Sequence, residues 1–232
     1  IHSLEELFAH EQQTKHKFLI ETKIVKGEPH PHLEDKVAAL IKQYHMENRV
    51  MFHSFSAASL KRLQAALPNI PRILIVGSLK RINFDVLTYV DGINLSSDLV
   101  TPQLVTQLHD LGKKVYVWDE MNEDRAKWTW LVNLNIDGVV TNYTSLGHEF
   151  QTLKAAAVTT SINDLGANSS LAALPVYENP YQPLLRSERL APQTPIMISS
   201  MVSLAGSTYY QIGDNAFVPA ETINLAPEAG WA

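Results

Sequence analysis

Apolar residues along the chain follow two alternating rhythms. Short runs at Phe18 to Ile20, Val50 to Phe55, Arg72 to Gly77, Asp91 to Leu95, Lys114 to Trp118 and Asp137 to Asn142 have the length and continuity of strands buried in a parallel sheet. Between them, apolar positions recur three and four residues apart. Leu33, Val37, Leu40, Ile41 and Tyr44 form one stripe, Leu60, Leu63 and Leu67 a second, and Leu104, Val105, Leu108 and Leu111 a third. Each is one face of a helix. Punctuation agrees: Ser3 precedes Leu4-Glu5-Glu6 as a capping box, Ser56 and Thr101-Pro102 open helices, and Pro68 and Gly112 close them. Glu123 and Asp124 supply an acidic first turn to a helix carrying Trp128, Leu131 and Val132, and a last helix is expected from about Ser145 to Lys154.

Strands alternating with helices predict an α/β protein with a parallel sheet. An open doubly wound sheet and a barrel both fit. No glycine-rich phosphate loop follows any strand, which weakens the doubly wound alternative. A TIM (β/α)8-type barrel needs two more units, on the order of 60 residues. Because Ser3 to Phe8 reads as a helix already under way, the expectation is a TIM (β/α)8-type barrel lacking its first two βα units, which would lie upstream of Ile1.

From Ala155 the texture changes. Residues 155–172 are small and polar and read as a linker. Beyond them short strands at Pro175 to Tyr177, Ile196 to Ile198, Thr208 to Ile212 and Ala216 to Pro219 are separated by turn residues, including Gly213-Asp214-Asn215. The expected organisation is a barrel fragment over 1–154, a linker over 155–172 and a small all-β C-terminal module over 173–226.

Composition narrows the chemistry. The 232 residues carry a net charge of -5, which offers no basic footprint for nucleic acid, and no cysteine, which removes disulfides, thiolate metal sites and a cysteine nucleophile. No run approaches the roughly 20 apolar residues of a membrane span, and no signal peptide is evident.

The stretch Phe18 to Lys23 draws attention because it ends in Glu21 and Lys23, two opposite charges on one face of a strand by alternation. In parallel α/β proteins the carboxyl ends of strands form the ligand-binding mouth. A surface ion pair explains the same residues. His30 and His32 could ligate a metal but are read as a solvated loop, His53 is expected to turn toward the helices if Ser54 faces inward, and Asp119 and Glu120 are read as a solvated loop after the Trp118 strand. Trp128 and Trp130 are read as helix packing. The serines lack a G-x-S-x-G elbow, against a serine hydrolase.

Taken together, Ser3 to Leu7, Leu19 to Lys23, His53 to Phe55, Val115 to Trp118 and Asp137 to Tyr143 resemble, in order and spacing, the glycerophosphodiester phosphodiesterases. The resemblance covers about residues 1 to 150. It implies a TIM barrel that hydrolyses a glycerophosphodiester to glycerol 3-phosphate and an alcohol with a divalent cation, calcium or magnesium, and a pair of histidines. It also implies that Glu21 is a metal ligand, that Lys23 faces the phosphate as a catalytic residue, and that Phe55 and Trp118 line the mouth against the substrate. The family's histidines and other metal carboxylates have no counterpart here, and Asp119 and Asn142 depart from its usual residues. The chain taken alone is therefore expected to be inactive.

The C-terminal module resembles surface-layer-type or SH3-like wall-binding repeats through Tyr209 to Val218. That resemblance implies an extracellular or cell-surface protein, with a membrane anchor upstream of Ile1 as one expected form, a cell-wall polymer as partner and a glycerophosphodiester or teichoic-acid-like substrate. The alternatives are a non-catalytic envelope-binding protein built on a phosphodiesterase-like barrel, and another phosphate-handling barrel with its site near Trp118 and Asn142.

Overall fold

The computed structural model describes residues 2–25, 30–119, 125–132, 134–180, 185–204 and 207–226. It divides into two compact units, one of residues 1–119 with 136–140 and the other of residues 120–135 with 141–232.

The first unit is built on a curled, six-stranded parallel sheet: β1 (Phe18–Glu21), β2 (Val50–Ser54), β3 (Arg72–Val76), β4 (Gly92–Ser96), β5 (Lys114–Trp118) and β6 (Gly138–Val140). Spatial order equals sequence order throughout. A doubly wound sheet reverses order at a switch point, and this one does not. The curled half-barrel is the geometry of a TIM-type barrel. Its helices are α1 (Leu4–Glu11), α2 (Leu33–Gln43), α3 (Ala57–Ala66), α4 (Phe84–Leu87) and α5 (Pro102–Asp110).

Local chemistry sets these boundaries. Ser3 and Glu6 form the reciprocal capping box on α1, Ser56 Oγ accepts the Ser59 N–H on α3, and Thr101 caps α5 with Pro102 in its first turn. Gly112 ends α5 at φ +69°, a conformation glycine adopts without strain. All five residues of β3 are buried, as a continuous apolar run predicts.

Two Asp-Gly turns perform the same task. Asp91 Oδ2 accepts the Arg72 N–H at 2.8 Å and Asp137 Oδ2 accepts the Val115 N–H at 2.8 Å, while each aspartate N–H returns to the carbonyl of the same residue. The carboxylate thus caps the start of the neighbouring strand and holds its register. Glycine follows because a Cβ at Gly92 would lie 2.8 Å from the Lys114 carbonyl oxygen.

In the second unit, α6 (Arg125–Leu131) and α7 (Thr144–Ala156) pack through Trp128, whose ring stacks on Phe150 at 6.5 Å and fills the space beside Gly147. The acidic turn expected at Glu123 and Asp124 lies outside the described residues, as does Glu120.

The rest of the unit is a seven-stranded antiparallel sheet in the order β13 (Ile223–Leu225), β7 (Val158–Asn168), β10 (Pro195–Leu204), β11 (Ser207–Gly213), β12 (Ala216–Pro219), β8 (Leu174–Tyr177) and β9 (Leu185–Leu190). Ile198, Val218, Val176, Leu174, Leu190 and Ile223 form its core. The tight β11–β12 connection at Asp214-Asn215 is where the sequence places it.

The linker expected over 155–172 is corrected. Helix α7 runs through Ala156, and after Ala157 the eleven residues Val158–Asn168 form β7, paired with both β10 and β13. The strand escapes notice because its inward positions are Ile162, Asp164, Gly166 and Asn168, with one large apolar side chain among them. At Gly166 a Cβ would come within 2.9 Å of Ile198 and 2.8 Å of Ile223, so the bulk there comes from neighbouring strands and β7 lacks an apolar stripe of its own.

Candidate functional site

Strand pairing decides which side chains share a face. Glu21 is the register partner of His53, and the Thr22 N–H continues the ladder to the His53 carbonyl at 3.1 Å. Thr22 Oγ1 lies 2.8 Å from Ser59 Oγ on α3, and Ser54 Oγ donates to the Thr22 carbonyl and accepts the Ser56 N–H. Thr22 and Ser54 therefore face the helices. Glu21 and His53, one residue earlier on each strand, face the inner, concave side. Ser54 does not face inward, so the condition under which His53 would turn toward the helices is not met, and His53 faces the inner side.

The same register extends across the sheet. Ile75, Asn94, Tyr116 and Gly138 are successive partners, as are Ser96, Trp118 and Val140. Alternation places Asn94, Tyr116 and Trp118 on the inner face with His53 and Glu21. Phe55, two residues beyond His53, meets Trp118 edge to face at 5.7 Å. The two aromatics predicted to line a mouth thus touch.

Three buried polar atoms on this face have no hydrogen-bond partner among the described residues: His53 Nδ1, Asn94 Oδ1 and Trp118 Nε1. An unsatisfied buried polar atom costs stability, so three on one face mark a site organised for something other than packing. Burial pushes the His53 imidazole below its ordinary pKa and the Glu21 carboxylate pulls it back only in part. The ring is held largely neutral.

Glu21 and Lys23 are both exposed, with Thr22 between them 2% exposed, so the predicted alternation persists past the end of β1. Asp119 is not simply solvated: its Oδ2 accepts from Ser97 Oγ at 2.5 Å, tying the ends of β4 and β5. His32 opens α2 at φ +60° with Nδ1 3.3 Å from Asp35, and both His30 and His32 are exposed. Trp128, Trp130 and Asn142 belong to the second unit.

Asn94 and Tyr116 are the inner-face residues that sequence reasoning missed. A polar residue inside the otherwise apolar run Ile93 to Leu95 was the available signal.

Glu21 offers hard oxygen suited to calcium or magnesium. Among the described residues, however, no group of three or more histidine, aspartate or glutamate side chains is placed to hold a metal ion. One carboxylate does not make a cation site, and the described residues do not fit one by themselves.

The profile of the glycerophosphoryl diester phosphodiesterase family matches residues 1–146. The chain belongs to this family. Among solved structures, a Galdieria sulphuraria chain assigned as a glycerophosphodiester phosphodiesterase is 25% identical at a TM-score of 0.54, covering 64% of this chain and 63% of its own. An Agrobacterium tumefaciens chain with the same assignment is 23% identical at a TM-score of 0.58, over 66% of this chain and 65% of its own. An Oleispira antarctica phosphodiesterase, solved with its product sn-glycerol-3-phosphate, is 19% identical at a TM-score of 0.52, over 64% of this chain and 60% of its own. This phosphodiesterase-family chain thus spans less than two thirds of the length of those structures. No curated protein matches it.

Proposed function

We propose that the concave face of the first unit is part of a glycerophosphodiester phosphodiesterase site, where water cleaves the diester to glycerol 3-phosphate and an alcohol. The observation that carries this reading is Glu21 beside His53 on the face that ends in the Phe55–Trp118 pair, within a chain of this family. The product held by the Oleispira antarctica relative supports the same substrate class.

In this reading Glu21 contributes one carboxylate to a calcium or magnesium ion whose other ligands come from outside the described residues. A cation held in part by Glu21 would supply Lewis-acid chemistry to a phosphoryl oxygen and to water. Lys23 sets an ammonium against a non-bridging phosphate oxygen, where positive charge favours the transition state over the ground state. Phe55 and Trp118 pack against the glycerol or the leaving alcohol and exclude water. Asn94 and Trp118 Nε1 offer a fixed acceptor and donor to the substrate's polar groups once it displaces the packing around them. With one carboxylate and no pair of histidines on this face, the described residues bind substrate without completing turnover. A cell-surface location and attachment to a wall polymer bearing teichoic-acid-like phosphodiesters belong to the same proposal, and retention on purified cell wall tests them.

The site is tested by titrating glycerol 3-phosphate into the chain and into Lys23→Ala and Trp118→Ala variants. Loss of the charge-assisted contact at Lys23 is expected to weaken binding by about tenfold or more. Unchanged affinity in both variants would show that this face is not the phosphate site. Calcium and magnesium titrations are expected to show weak binding that disappears in Glu21→Ala.

A further inference from the structure

A second pocket, of about 600 Å³, lies entirely within the antiparallel unit. Tyr177 on β8 and Tyr209 on β11 form two of its walls, with ring centroids 6.1 Å apart and planes at 86°. Thr208, Pro219 and Glu221 continue the lining. No lysine, arginine or histidine is among the described lining residues, and Glu221 has no ion-pair partner among the described residues.

Two aromatic rings at a right angle beside an unneutralised carboxylate select for a particular ligand. A π-face attracts positive charge, and a desolvated cation gains more from it than an exposed one. A primary ammonium or a metal ion would demand hydrogen-bond acceptors or several carboxylates, whereas a methylated ammonium has no N–H to satisfy and is apolar on its surface. An anionic ligand would be repelled by Glu221. We propose that this pocket binds a methylated ammonium group of the choline class, with Tyr177 and Tyr209 as the walls of the cage and Glu221 as its counter-charge.

The same arrangement sets the electrostatics of the tyrosine hydroxyl. The Tyr209 hydroxyl titrates above its ordinary range, because of burial first and then of the nearby Tyr177 and Glu221. The two rings and the carboxylate therefore sense one another across the pocket. The inference does not depend on the phosphodiesterase reading of the first unit.

The probe is choline chloride, followed by saturation transfer to its N-methyl protons on the full chain. Its neutral carbon isostere 3,3-dimethylbutan-1-ol and N-acetylglucosamine are run in parallel. Saturable choline binding at least about tenfold tighter than the isostere is expected. Tyr209→Phe, which keeps the π-face, should retain affinity, and Tyr209→Leu and Glu221→Gln should each weaken it by about tenfold. Glu221 is exposed, so its variant tests the idea without endangering the fold. Sedimentation with phosphatidylcholine vesicles, lost in Glu221→Gln, would identify a lipid headgroup as the source. Binding of choline without vesicle binding would identify a free ligand, and either upholds the proposal. Equal binding of choline and its isostere, binding of the sugar alone, or indifference to Glu221→Gln would overturn it.

Discussion

Glu21 and His53 are register partners across β1 and β2, and their side chains leave the sheet on the same face. That pairing sets an exposed carboxylate beside an imidazole that is only 8% exposed and whose Nδ1 has no hydrogen-bond partner among the described residues. A fold optimised for stability alone would not keep such a group there.

The first prediction follows from that cost. His53→Leu exchanges an unsatisfied buried ring for an apolar side chain of similar volume. It should stabilise the chain by about 1 kcal/mol, because the desolvation penalty of the unpaired nitrogen disappears. Urea unfolding measures the gain, and glycerol 3-phosphate affinity should fall in the same variant. A clear loss of stability would mean that the imidazole is a packed structural element.

The second concerns pH. Burial opposes ionisation of Asp137, but Lys114 Nζ at 2.7 Å, the Val115 N–H at 2.8 Å and His109 Nε2 at 2.8 Å hold its carboxyl below the ordinary range. Glu11 is likewise lowered to about 2, by Thr14 and then His16. The unfolded state takes up these protons first, so the stabilisation is present above the ordinary carboxylate pKa and is lost as pH falls through the folded value. Asp137→Asn should be less stable than the parent at pH 7, with the gap closing below about pH 3.8, the ordinary aspartate value. A gap that is equal at pH 7 and near pH 2.5 would show that the ionised carboxylate contributes nothing.

The third is steric. Gly92 faces the Lys114 carbonyl oxygen, which an added Cβ would approach to 2.8 Å. That atom is backbone in the β4–β5 ladder and cannot swing aside. Gly92→Ala should cost about 1–3 kcal/mol in thermal or urea unfolding. Gly77→Ala, where a Cβ meets nothing within 4 Å, is the control and should change little.

What could be seen in advance divides along a physical line. The caps at Ser3, Ser56 and Thr101 were legible because a cap is a contact between residues three apart. The central strands β2, β3 and β4 were legible because burial on both faces leaves an apolar run, and β1, β5 and β6 because each keeps a short β-branched or aromatic run although it is less buried. The inner face was only half legible. Glu21, Phe55 and Trp118 stood out by residue type, but the facing of His53 depends on its pairing with Glu21, 32 positions away, and on the Thr22–Ser59 contact that turns Thr22 to the helices. Strand β7 was illegible because its packing partners, Ile198 and Ile223, carry the bulk that its own Gly166 leaves out.

The last prediction lies in that overlooked strand. Asn168, at the end of β7, is 1% exposed and spends its whole side chain on the backbone. Its Nδ2 donates to the carbonyls of Ala172 at 2.9 Å, Leu190 at 3.1 Å and Ala191 at 3.1 Å, and its Oδ1 accepts the Ser170 N–H at 2.8 Å. The amide thus pins the turn into β8 against the end of β9. Truncation would leave backbone groups in the interior without partners, which costs more than the hydrogen bonds themselves. Asn168→Ala should therefore destabilise the antiparallel unit by about 2–4 kcal/mol. Asn168→Asp, which keeps the acceptor and loses both donors, should be no better. Amide hydrogen exchange at β7, β8 and β9 reads the effect locally: protection lost there in both variants is the expected result. Protection kept would mean that the turn holds its shape through the β7–β13 and β8–β9 ladders without the amide.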